Sequence, residues 1–88
     1  MHIKHQFPEF DIATLPTIPS TWVDVSWRND VCPSWVIGHL RVWVDFADHK
    51  EREFEDGNRF RVTDEDVYEI IFESNDWQAI LQFVGQNQ

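Results

Sequence analysis

The sequence predicts an α+β domain: a small antiparallel sheet of three to four strands, one C-terminal α-helix packed on one face, and an extended, proline-containing N-terminal arm. Three observations carry this. Residues 21–73 contain short segments in which apolar and polar side chains alternate with period two, as half-buried strands require. Residues 74–85 place apolar side chains at helical spacing. Residues 1–20 hold three of the four prolines, Pro8, Pro16 and Pro19, which fix φ and turn the preceding residue away from the helical region. At 88 residues the chain is expected to form a single domain around one core.

In chain order, the arm carries Phe7, Phe10, Ile12, Leu15 and Ile18. That is too apolar for a solvated tail, so the arm is expected to lie on the globule. Thr21–Trp27 alternates, with Val23, Val25 and Trp27 expected inward and Trp22, Asp24 and Ser26 outward. Asn29, Asp30 and Pro33 then mark a turn. His39–Asp48 is the clearest strand. Leu40, Val42, Val44 and Phe46 form its apolar face, and Arg41, Trp43 and Asp45 the other. Gly38 breaks the chain before it. A charged loop ends at Asp56 and Gly57, a favoured turn dipeptide, and Arg59–Val62 alternates again with Phe60 and Val62 inward.

Residues 67–73 fit two patterns. As a helix, Val67, Ile70 and Ile71 align behind Thr63 as N-cap. As a strand, Tyr68, Ile70 and Phe72 face one way. The run is short and rich in β-branched and aromatic residues, which favours the strand. The final segment reads as helix. Ser74 or Asn75 can cap it, and Asp76 suits the first turn. Trp77, Ile80, Leu81 and Val84 form one stripe, and Gly85 fits a C-terminal stop. Alone such a helix is unstable, so it must pack on the sheet.

Composition bounds the function. Five Trp, seven Phe and one Tyr supply a core in few residues, since each can bury roughly 150–250 Å². Sixteen acids face seven bases, a formal net charge of −9. Such a chain repels phosphate backbones and anionic membranes. Its bases form no patch, because Lys50, Arg52, Arg59 and Arg61 are interleaved with acids. Direct nucleic-acid or membrane binding is not expected. One cysteine excludes an internal disulfide. With no signal-peptide pattern and no apolar run near the length of a membrane span, a cytoplasmic location is expected.

Residues capable of chemistry are few. In "SWRNDVCPSW" the single cysteine, Cys32, has Arg28 and His39 nearby in sequence, and Asp30 could orient a base. A nucleophilic thiol needs a lowered pKa, yet no CxxC occurs and no helix is predicted to start here. Cys32 reads as a small buried hydrophobe, with Trp27 and Trp35 anchoring the corner in the core. His2 and His5 lie three apart, and His39 and His49 are isolated, so neither a metal site nor a cofactor is expected. Phosphate loops and nucleophile elbows are absent. The expectation is a protein that is not an enzyme.

The strongest functional signal is acidic. From Asp45 to Asp76 twelve acids face only Lys50, Arg52, Arg59 and Arg61, so this span carries −8 of the net −9. One reading is a solvated face that keeps an aromatic-rich domain soluble. The sharper reading is a recognition surface formed by Asp45, Asp48, Glu51, Glu53, Glu55, Asp56, Asp64, Glu65 and Asp66, imitating phosphates toward a basic protein partner. Trp43, on the strand face opposite the apolar one, is a candidate anchor, unless the arm covers it.

In size, charge and lack of catalytic motifs the chain resembles the small acidic inhibitors of phages and mobile elements, such as anti-CRISPR and anti-restriction proteins, and toxin-neutralising immunity proteins. That likeness implies an inhibitor masking a nucleic-acid-handling partner. The alternatives are an accessory module pairing through a sheet edge and Trp43, including a homodimer, and a small enzyme using Cys32 with His39.

Overall fold

The computed structural model describes residues 6–52 and 57–87. Among these residues five strands form one antiparallel sheet in sequence order: β1 Val23–Asp24, β2 Ser34–Ile37, β3 Leu40–Val44, β4 Phe60–Asp64 and β5 Glu69–Ser74. A single helix follows them, α1 Trp77–Asn87, packed on β4 and β5. The class is the expected α+β, with five strands rather than three to four.

The additional strand is β2. Asn29, Asp30 and Pro33 make the stretch before it read as a corner. Its four residues are nevertheless held in register by β3, with Trp35 opposite Val42 and Ile37 opposite Leu40. Gly38 has φ +59 and His39 does not share a positive φ. That is the pattern of a two-residue II′ hairpin turn, whose twist matches the flanking strands.

Alternation builds the core as expected in the middle of the sheet. Leu40, Val42 and Val44 from β3 and Phe60 and Val62 from β4 are buried on one face, joined by Trp35 and Ile37 from β2. Ile80 and Val84 of α1 close over them. Aromatic rings interlock at the seam: Phe72 stacks on Phe83 at 4.6 Å, and Trp77 meets Phe60 at 5.0 Å and Trp22 at 5.7 Å, both edge-on. The arm covers the same face. Phe7 and Phe10 are buried in this core, Leu15 and Ile18 pack against it, and Phe10 lies 5.0 Å from Phe46.

Several details depart from expectation. In the Thr21–Trp27 segment the strand itself is just Val23–Asp24, in register with Val36 and Trp35 of β2, and Val25 adds one bond to the Ser34 carbonyl. The inward face is inverted: Val23 and Trp27 are exposed, and Trp22 packs on the core. A period-two pattern fixes alternation but not which set faces in, and the larger Trp22 buries more apolar area. Trp27 therefore does not anchor its corner, whereas Trp35 and Cys32 are buried as expected. The helix is capped by Asp76, whose Oδ1 accepts from the Gln78 N–H at 3.0 Å. Ser74 instead accepts from the Asp76 N–H at 2.9 Å. Gly85 does not stop α1, which runs on to Asn87. Asn87 donates to the Phe83 carbonyl at 2.8 Å, satisfying a group the helix end would otherwise leave open.

Residues 69–74 are strand, the favoured alternative, but their faces are not those expected. Val62 lies opposite Phe72 and Thr63 opposite Ile70, so the register slips by one between them. Ile71 is the extra residue of a β-bulge. Phe72 turns inward while Ile70 and Ile71 stay exposed, so Tyr68, Ile70 and Phe72 do not share a face.

Candidate binding surface

Among the described residues, the acids of the expected recognition surface lie at two ends of the sheet rather than on one continuous face. Loop 45–59 joins β3 to β4 at one end of the sheet, and the turn after Asp64 joins β4 to β5 at the other. The two are separated by five-residue strands, about 17 Å at roughly 3.4 Å per residue. Asp48 and Glu51 lie exposed at the first end. Asp64, Glu65 and Asp66 lie at the second. Glu53, Glu55 and Asp56 fall outside the described residues.

Asp45 belongs to neither surface. It is 1% exposed, and its Oδ2 accepts from Arg61 Nη2 at 3.2 Å. Expected to face a partner, it is buried instead, on the sheet side opposite the core, where Arg61 projects from the adjacent strand and pairs with it, as a buried charge requires.

Asp45 is one case of a wider pattern, in which the cations of this span are turned to internal work. Arg52 donates to three backbone carbonyls of its own loop: Phe46 at 2.7 Å, Ala47 at 3.0 Å and Gly57 at 3.2 Å. Arg59 bridges distant segments. Its Nε donates to the Asp45 carbonyl at 3.0 Å, and its Nη2 to the Thr14 carbonyl and hydroxyl at 3.0 and 3.2 Å. Burial holds the Arg59 pKa below the ordinary arginine value, Arg52 pushes the same way, and Asp45 opposes. Of the four bases in the span only Lys50 is exposed. The surface at this end is therefore more acidic than the sequence arithmetic implies.

The arm completes it. Glu9, Asp11 and Thr14 from the arm and Ala47, Asp48 and Glu51 from the loop surround a cleft of about 380 Å³ floored by Phe10 and Phe46. All four carboxylates are on exposed residues. Two short 3-10 turns set their positions. Asp11 caps Ile12–Thr14 by accepting from the Ala13 N–H, and Asp48 caps His49–Glu51 by accepting from the Lys50 N–H, each at 3.0 Å. Sequence reasoning missed Glu9 and Asp11. The apolar arm signalled contact with the globule, but no local pattern says where along the sheet it comes to rest.

At the other end Arg41 links the loops. It lies 3.2 Å from Asp30 and 3.6 Å from Glu65, and its Nε donates to Ser34 at 3.0 Å. The same guanidinium sits 4.3 Å above the Trp43 ring, whose Nε1 donates to Thr63 at 3.0 Å. Trp43 is half-buried on the sheet face opposite the core. Arg41 covers one face of its ring.

Cys32 and His39 are not brought together by the fold. Cys32 is fully buried before β2 and His39 is exposed after it, with a four-residue strand between them, about 14 Å long at roughly 3.4 Å per residue. His2 and His5 fall outside the described residues. Among the described residues no three His, Cys, Asp or Glu side chains converge as metal ligands, and no helix is long and apolar enough to cross a membrane. Comparison with protein families, curated proteins and solved structures finds no match to this chain.

Proposed function

We propose that this chain is a non-catalytic acidic binding domain that masks the basic surface of a nucleic-acid-handling protein. The observation that supports this reading is the division of charge at the β3–β4 end. Arg52 and Arg59 are spent on carbonyls, Arg61 on Asp45, and the acids of the arm and loop are left outward around an aromatic floor. A cleft of this kind suits a lysine or arginine side chain. Its carboxylates meet the charge and the Phe10 and Phe46 rings meet the aliphatic stem or guanidinium plane. The acids form a pocket for a cation here rather than a row that copies a phosphate backbone, so a few projecting basic side chains are the expected counterpart.

The test is affinity capture from a lysate of the native host with immobilised chain. Two variants are compared: Glu9→Lys, Asp11→Lys, Asp48→Lys and Glu51→Lys together, and Asp64→Lys with Asp66→Lys. The expected result is a basic protein held by the wild type and by the second variant, lost from the first, and eluted below about 0.5 M NaCl, where the Debye length is only a few Å. The captured protein should lose nucleic-acid binding when the chain is added. Equal capture by a folded first variant, checked by circular dichroism, would remove the cleft from the reading.

A further inference from the structure

Strand β5 is the longer free edge of the sheet. Among the described residues it has a strand neighbour on one side only, and the opposite edge, β1, is just two residues long. Of the eight large hydrophobic residues exposed among the described ones, four fall in or just before this strand: Val67 and Tyr68 in the turn that leads into it, and Ile70 and Ile71 within it, at 57, 83, 53 and 40% exposure. The core does not need them. It takes Phe72, which stacks on Phe83 of α1, while the bulge turns both isoleucines out.

Tyr68 supplies an independent observation. It has φ +57, the only positive φ of a non-glycine residue among those described. Its N–H donates to the Asp64 carbonyl at 2.7 Å, which holds it there. Glycine or asparagine takes this conformation at less cost. A bulky aromatic kept in it, almost wholly exposed beside an open edge, marks a ring retained for contact, since backbone outliers of this kind cluster at functional positions.

Charge selects the occupant. Exposed Glu69 and Glu73 flank the two isoleucines, and exposed Asp66 precedes them. A second copy paired antiparallel about Ile71 would set Glu69 against Glu73, a directly opposed like-charge pair, between two molecules of net charge −9. A strand carrying Lys or Arg opposite the glutamates and apolar residues opposite the isoleucines meets neither penalty.

We propose that β5 is a docking edge that takes an extended segment of a partner protein, a short apolar run flanked on both sides by basic residues, as a sixth strand of the sheet, with the Tyr68 ring as its side-chain anchor. Main-chain hydrogen bonds along the edge would supply affinity and the flanking acids the choice of sequence. This surface is separate from the acidic cleft and stands or falls without it.

The test uses isotope-labelled full chain and the heptapeptide Lys-Lys-Val-Val-Val-Lys-Lys, with Glu-Glu-Val-Val-Val-Glu-Glu as control. The lysine peptide is expected to shift the amides of residues 68–74 and slow their hydrogen exchange, the glutamate peptide to do neither. Ile71→Pro removes a backbone N–H in the middle of β5 and should abolish the effect. Tyr68→Gly keeps the turn and should weaken binding about tenfold without lowering the thermal midpoint, an outcome a purely structural role for the ring does not give. Three results would overturn the proposal: shifts confined to Glu9, Asp11, Asp48 and Glu51; equal response to both peptides; or a dimer in sedimentation whose interface maps to β5, which would make the occupant a second copy.

Discussion

Asp45 and Arg61 form the most enclosed ion pair among the described residues, 3.2 Å apart with side chains 1% and 9% exposed. Removing one partner leaves the other charged in a site with little water. Asp45→Ala is expected to cost about 3–5 kcal/mol, measured by urea unfolding. The double replacement Asp45→Leu with Arg61→Met should cost clearly less, because no orphaned charge remains. Additive losses in that double variant would show that the pair's neighbours, rather than the charge itself, set the penalty. Tyr68→Gly acts in the other direction. It relieves a left-handed backbone conformation worth about 1–2 kcal/mol and should raise the thermal midpoint, since the ring is 83% exposed and little packing is lost. Neither residue's situation was legible in the sequence. Asp45 lies on the polar side of an alternating strand, where an acid ordinarily meets water. Only the register that brings Arg61 alongside, sixteen positions later, places both out of solvent. Tyr68 sits in a run that satisfies helix and strand patterns alike, and neither pattern carries backbone sign.

Elements whose burial is large and periodic were the ones the sequence disclosed. β3 and β4 alternate cleanly because one face meets α1 and the arm, and α1 carries a single stripe for the same reason. The short and edge elements were hidden. β2 owes its existence to pairing through Gly38, and the bulge in β5 reverses an alternation that the sequence shows intact. The end of α1 was misplaced because glycine permits a stop without imposing one. Gly85 sits in the last turns of the helix with negative φ and open space where a Cβ would go. Gly85→Ala is therefore expected to stabilise the protein by about 0.5–1 kcal/mol, the difference in helix propensity. At the other end Asp76 carries the cap, and Asp76→Ala should destabilise by about 1 kcal/mol. Both are read from thermal unfolding by circular dichroism. A destabilising Gly85→Ala would show that the helix needs glycine's freedom at that point.

At the scale of the whole molecule the charge is distributed so that attraction is local and repulsion global. The bases Arg41, Arg52, Arg59 and Arg61 make short internal contacts, while acids occupy both ends of the sheet and the β5 edge. The bulk charge was plain in the composition, and an acidic site was legible as a class. Its location was not, because a run continuous in sequence is cut in two by a hairpin, and half of the cleft comes from an arm more than thirty residues upstream. The distribution has a measurable consequence. Screened contacts between exposed acids matter over long distances, whereas the enclosed pairs are little affected by salt. Raising NaCl from about 0.01 to 0.15 M shortens the Debye length from roughly 30 to 8 Å and should remove more repulsion than attraction. The thermal midpoint is expected to rise by several degrees, since about 1 kcal/mol moves a domain of this size by roughly 4–8 °C. The Glu9→Lys, Asp11→Lys, Asp48→Lys, Glu51→Lys variant brings the net charge close to zero, so its midpoint should respond to salt much less. A midpoint that falls with salt in the wild type would mean that the arginine contacts outweigh the self-repulsion, and that the outward acids are balanced by the fold rather than left for a partner.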